Sequence, residues 1–228
     1  PNEEENLCMR CHHKRGGPEP TSTRGPHSPE GPLLLGEAGW WPPNMPIEPG
    51  TEIVGTHGSQ ANPRLCAGCH VQAFQVTDRL TGQFLVASVG HLFQAIPCLD
   101  PQGVPTTDDT CALTERSFRS CVQSGCHGSE AAARSAYTVA QNRILTLANR
   151  LNAMLAQVPA SEFSDTDGRY TTAEGTRLNY ALAPFPGSFV HNPFLLEALL
   201  VASIQQVNTE YGVPIPAGTV LTQQLAPG

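Results

Sequence analysis

Hydrophobic residues recur at helical spacing mainly in the last hundred positions of the chain. After Ser129, a residue suited to cap a helix, apolar side chains follow at steps of three and four, at Tyr137, Ala140, Ile144, Leu147, Leu151, Met154 and Val158. The pattern stops at Pro159, where a helix is expected to end. The spacing therefore predicts one long amphipathic helix from about residue 129 to 158.

A second helix has a clear start at His191-Asn192-Pro193, because Asn suits the cap position and Pro the first helical position. It continues through the apolar run that ends at Ile204. Between the two helices, Ser161 to Pro186 is polar and then proline-rich, which predicts an extended loop. Within it, Asp165-Thr-Asp167-Gly168 resembles part of a calcium loop but lacks the further ligands, so an ordinary turn is expected.

Residues 1–127 show little periodicity, since turns rich in Pro and Gly interrupt every run. Short helices and one strand, at Gln83 to Gly90, are the regular elements predicted there. The expected fold is mostly α with irregular loops, little β structure and a C-terminal helical pair. A loop-rich region, 1–127, and a helical region, 128–228, are expected to form one continuous structural unit.

Cysteine spacing adds a chemical prediction to this outline. Three times, two cysteines precede a histidine directly: Cys8-x-x-Cys11-His12, Cys66-x-x-Cys69-His70 and the longer Cys121-x4-Cys126-His127. This is the attachment pattern of c-type haem, in which two thiols form thioethers to the porphyrin and the histidine ligates the iron. The sequence therefore predicts three covalently attached haems, each with its iron, and a fold built around them.

Zinc ribbons and redox dithiols also use the Cys-x-x-Cys spacing. A site of four thiolates has no use for a histidine that always follows the second cysteine, so the pattern favours haem. Composition agrees, because 39% hydrophobic and 6% aromatic residues, with 21 Pro and 21 Gly, leave few large side chains for a core. Porphyrin faces would supply the missing apolar area.

The two remaining cysteines, Cys98 and Cys111, precede no histidine. A disulfide is the favoured reading for an exported protein, with a zinc site or two buried free thiols as alternatives. The chain begins with polar residues and shows no apolar signal segment, so we expect a mature form after export to the periplasm or the cell surface. No stretch is apolar enough to predict a transmembrane segment.

The histidines divide into expected proximal and distal iron ligands. The proximal ligands are His12, His70 and His127. The distal candidates, in order of preference, are His91, His191, His57, His27 and His13. His91 and His191 rank first for their hydrophobic flanks, whereas His13, adjacent to a proximal ligand, could reach only a different haem or face water. The three methionines are poorly placed to ligate iron.

The chain resembles multihaem c-type cytochromes that move electrons outside the cytoplasm of respiring bacteria and archaea. The resemblance rests on the three attachment motifs, Cys11-His12-His13, Gly25-Pro-His-Ser-Pro-Glu-Gly31, Gly90-His-Leu-Phe93 and His191-Asn-Pro193. It implies closely stacked haems, mainly bis-histidine ligation and electron transfer. Some members of the family polymerise into extracellular filaments in which a histidine of one subunit ligates a haem of the next.

The function predicted is therefore electron transfer without substrate chemistry, with redox proteins or extracellular acceptors as partners and self-association into a homopolymer. A multihaem reductase with one open iron, or a relay subunit of a larger respiratory complex, is the alternative. The formal charge of −7 argues against nucleic acid as a partner.

Overall fold

A computed structural model describes residues 6–19, 24–45, 47–51, 53–71, 73–88, 93–101, 103–123, 126–164 and 166–225. The helices are α1 (Glu30–Leu35), α2 (Cys66–His70), α3 (Arg119–Gln123), α4 (Glu130–Leu155), α5 (Thr172–Leu182), α6 (Ser188–His191) and α7 (Pro193–Tyr211). The strands are β1 (Phe74–Thr77) and β2 (Phe84–Ser88). Short 3-10 turns cover Thr56–Gly58, Leu113–Glu115 and Ala160–Phe163. The predicted class, mostly α with little β structure, is confirmed for the described residues.

The chain forms two compact units, one of residues 1–61 with 139–228 and one of residues 62–138. The boundary predicted at 127/128 marks a change in sequence character, whereas in space the first 61 residues group with the C-terminal helices. None of the helices in the described residues combines the length and apolarity that crossing a membrane requires.

Both predicted long helices are confirmed. The apolar stripe of α4 is buried from Ala140 to Leu155, and Met154 is part of it. Asn192 caps α7, because its side chain accepts a hydrogen bond from the Leu195 amide, and Pro193 occupies the first turn. Because α7 is apolar on most of its surface, it forms the centre of the first unit's core.

The predicted extended loop from Ser161 to Pro186 is wrong, since it contains the helix α5. Thr171 and Glu174 form a capping box at its start, each side chain bonding the other residue's backbone amide. Polar residues hide the helical period, because Thr176 and Asn179 are fully buried on the face where apolar residues would be expected. The C-terminal region therefore contains a third substantial helix, packed on α7, rather than a pair.

Asn179 also attaches the N-terminal part of the chain to α5. Its side chain accepts from the Trp40 amide at 2.8 Å and donates to the Trp40 carbonyl at 2.7 Å. Beside it, a Cβ at Gly175 would lie 2.2 Å from the Trp40 ring. A glycine is required there because the indole lies directly against the helix backbone.

In the second unit, β1 and β2 pair antiparallel. The strand predicted at Gln83 to Gly90 is confirmed as β2, and its last two residues lie outside the described range. Phe118 is buried with its ring edge-on to Tyr137, at 5.7 Å between centroids. Cys98 and Cys111 are joined by a disulfide, the first of the three alternatives considered.

Candidate haem attachment sites

The first cysteine motif folds as a single helical turn. The amides of Cys11 and His12 donate to the Cys8 carbonyl at 3.2 and 3.0 Å. Asn6 caps this turn by accepting from the Cys8 amide, and Met9 anchors it, with 1% of its surface exposed. Residues three and four apart on a helical turn lie on the same face. Both thiols and the imidazole are therefore on one side, and both cysteines are exposed.

The second motif is α2 itself, so Cys66, Cys69 and His70 again share one helical face. The turn is held by Asn62, whose side chain donates to the Leu65 carbonyl at 3.2 Å. A Cβ at Gly68 would lie 2.8 Å from the Asn62 side-chain oxygen, which explains the glycine inside the motif.

The third motif is less regular, as its longer spacing requires. Cys121 lies within α3 and is partly buried, whereas Cys126 is exposed and follows residues outside the described range. Ser120 fixes the helix by donating to the Ala95 carbonyl at 2.6 Å. His127 is partly buried.

The thiols of the second and third motifs lie near one another. Burial, with a smaller contribution from the neighbouring thiols of Cys121, Cys126 and Cys66, raises the pKa of Cys69 to about 11. Burial also raises the pKa of Cys121. A redox dithiol needs a lowered thiol pKa, so the raised pKa of Cys69 argues against that alternative. Helices α2 and α3 pack together, which brings these two motifs into one small region.

Two expected proximal histidines are anchored through Nδ1. The ring of His12 bonds the Glu30 carboxylate at 3.1 Å, and the ring of His70 bonds the Phe93 carbonyl at 2.5 Å. An oxygen acceptor at Nδ1 places the proton there and makes Nε2 the lone-pair nitrogen of the neutral ring. Metal-ligating histidines are oriented in this way by their outer partners.

Two distal candidates have the same feature. His57 bonds the Val190 carbonyl through Nδ1 at 2.7 Å, and His13 bonds the Met9 carbonyl at 2.5 Å. Val190 directly precedes His191, so two distal candidates lie in one region of the first unit. The sequence ranking did not foresee this pairing.

Asn192 holds that region together. Besides capping α7, its side-chain amide donates to the Ile53 carbonyl at 2.7 Å and to the Leu33 carbonyl at 3.0 Å. A Cβ at Gly55 would lie 3.2 Å from both the Asn192 side chain and the His191 carbonyl. The glycines that flank His57 were the available signal for this close approach.

The remaining candidates are distributed differently. His27 is exposed, and His91 lies outside the described residues. Glu30, the partner of His12, is the site residue that sequence reasoning missed, because no motif links it to a position eighteen residues earlier. Among the described residues, no group of three or more His, Cys, Asp or Glu side chains is arranged to hold a metal ion.

No family model, curated protein or solved structure matches this chain.

Proposed function

We propose that this chain is an electron-transfer protein that carries three c-type haems outside the cytoplasm. The observation that carries the proposal is the folding of the two Cys-x-x-Cys-His motifs as single helical turns with both thiols and the imidazole on one face. Covalent haem requires this grouping. A haem iron takes only one or two ligands from the protein, because the porphyrin supplies the others. Haem binding therefore does not depend on a cluster of three metal-binding side chains.

The histidine geometry supports ligation by these residues. His12 and His70 would be proximal ligands, since their Nδ1 atoms are engaged by oxygen acceptors. His57 and His191, close together in the first unit, would be distal ligands. When bound, the haems supply one-electron redox chemistry, and the protein sets ligation, burial and spacing.

The proximity of the second and third motifs supports electron transfer in particular. Helices α2 and α3, which carry cysteines of these two motifs, pack together, so the porphyrins attached to them would be neighbours. Closely spaced porphyrins favour fast tunnelling between irons. The disulfide between Cys98 and Cys111 supports a location outside the cytoplasm, where such bonds persist.

Self-association is part of the proposal. Residues 62–138 contain two attachment motifs but only one further histidine, His91, and no methionine. Two irons with bis-histidine ligation would need two distal imidazoles, so one ligand must come from outside this segment. The first unit offers two distal candidates, His57 and His191, for its one haem, so one imidazole is surplus there. We propose that this surplus imidazole ligates the open iron of a neighbouring copy of the chain, which would link copies into a homopolymer.

Cysteine variants with a matched control test the attachment. Replacing Cys66 and Cys69 with Ser should leave two haems per chain by pyridine haemochrome assay. Replacing Cys98 and Cys111 with Ser removes the same number of cysteines and should leave three haems. An equal haem content in both variants would contradict the assignment of the motifs.

Spin state tests the function and the polymer together. Assembled ferric protein should be entirely low-spin and unchanged by nitrite or cyanide, and its ferrous form should not bind carbon monoxide. Dilution to monomers should produce a high-spin fraction. A high-spin haem that binds nitrite in assembled protein would contradict the electron-carrier proposal. A monomer that stays wholly low-spin would contradict ligation between copies.

A further inference from the structure

Glu30 and its neighbour Gly31 each make one contact with His12. The Glu30 carboxylate lies 3.1 Å from the His12 Nδ1, and the amide of Gly31 donates to the His12 carbonyl at 2.7 Å. Glu30 begins α1, whose residues Leu33 to Leu35 are buried. Because α1 is fixed by this burial, it presents the carboxylate to the ring from a defined position.

The acceptor at His12 differs in charge from the acceptor at His70. His70 bonds a neutral backbone carbonyl, that of Phe93, whereas His12 bonds an anionic carboxylate. Hydrogen bonds to an ionised acceptor are roughly twice as strong as neutral ones. A stronger acceptor at Nδ1 draws the proton away from the ring and makes Nε2 a more basic ligand. A more basic ligand, with a negative charge behind it, stabilises ferric over ferrous iron.

We propose that Glu30 is a positioning residue that holds the reduction potential of the haem at Cys8, Cys11 and His12 below that of the haem at Cys66, Cys69 and His70. This inference rests on the proposed function, since it requires haem at both motifs. The Glu30 carboxylate would thus give the first haem a lower reduction potential than the second haem of the same chain. Electrons in partly reduced protein would reside on the second haem rather than the first.

The test is spectroelectrochemistry of the three-haem protein with Glu30→Gln. The glutamine amide oxygen can still accept from Nδ1, so the hydrogen bond and the fold are retained while the charge is lost. One of the three one-electron waves should move to higher potential by at least a tenfold change in its reduction equilibrium, which is 59 mV for one electron. Glu37→Gln is the matched control, because it removes the same charge from an exposed position seven residues along the chain. Its shift should be less than half as large.

A second variant assigns the wave without relying on Glu30. Replacing Cys8 and Cys11 with Ser should remove a wave that lies below the one removed by replacing Cys66 and Cys69. The inference is overturned if the order of these two waves is reversed, or if Glu30→Gln and Glu37→Gln shift the potentials equally. Those results would leave three haems in place and the proposed function intact. A wild-type chain without haem would instead refute both.

Discussion

Replacement of Asn192 tests the framework that holds two distal ligand candidates. Its side chain is fully buried and makes three hydrogen bonds, one as the cap of α7 and two as a donor to the carbonyls of Leu33 and Ile53. Loss of a cap costs about 1 kcal/mol. Each lost bond to a backbone carbonyl costs about 1 kcal/mol. The cost is smaller for Leu33, because its carbonyl also accepts from the Gly36 amide. Asn192→Ala should therefore lower the free energy of unfolding by about 3 kcal/mol.

The assays are urea denaturation, which measures the free energy of unfolding, and thermal denaturation, which measures the Tm, each followed by far-ultraviolet circular dichroism. In a chain of this size, a loss of about 3 kcal/mol should lower the Tm by roughly 6–12 °C. Asn152→Ala is the control, because Asn152 is exposed on α4 and its replacement removes an asparagine without a buried contact. That variant should unfold within about 0.5 kcal/mol of wild type.

Asn192→Asp separates capping from donation. Aspartate is as good a cap as asparagine, but it has no side-chain amide and would turn an acceptor towards two carbonyl oxygens. It should destabilise at least as much as alanine. An Asp variant of wild-type stability, or an Ala variant that loses less than 1 kcal/mol, would refute the role assigned to this side chain.

Three further predictions concern stability. Glu197→Ala should cost about 3–5 kcal/mol, because the buried Glu197 carboxylate pairs with the nearly buried Arg143, which would lose its counter-charge. Equilibrium unfolding would measure the loss of stability. A loss below 1 kcal/mol would refute a buried pair. Replacing Cys98 and Cys111 with Ser should cost about 3 kcal/mol, since the disulfide closes a short loop, and an unchanged denaturation midpoint would contradict this. Burial raises the pKa of Tyr170 and of Tyr211 from 10 to about 12, so the stability contributed by the neutral phenols should be complete below pH 10 and lost as the pH rises towards 12. Ultraviolet titration should show two tyrosines that ionise near pH 12, and four ordinary titrations would contradict the burial.

Elements with strong local signals could be predicted from sequence. The apolar stripe of α4 and the Asn-Pro start of α7 depend on neighbouring residues alone, and both helices are where they were expected. By contrast, α5 was missed because its buried face carries Thr176 and Asn179, whose hydrogen bonds are made with its own backbone and with distant segments. Because these buried positions are polar, the spacing of apolar residues does not predict the buried face of α5.

The candidate sites also combine features set by neighbouring residues with features set by residues distant in sequence. The cysteine motifs are local, so their helical turns follow from spacing. The partners of the histidine rings are distant in sequence, as with His57 and Val190 or His12 and Glu30. Only the folded arrangement of α1, α6 and the turn Thr56–Gly58 brings these rings and their partners together. The ranking of distal ligands therefore rested on flanking residues alone.

The most direct test is the intact mass of the denatured, solvent-extracted protein after maturation in a host that attaches haem c. Three haems bound through thioethers should remain on the chain, so the mass should exceed that of the polypeptide by three haem groups. A mass equal to the bare chain, from colourless material, would contradict the proposal at its foundation.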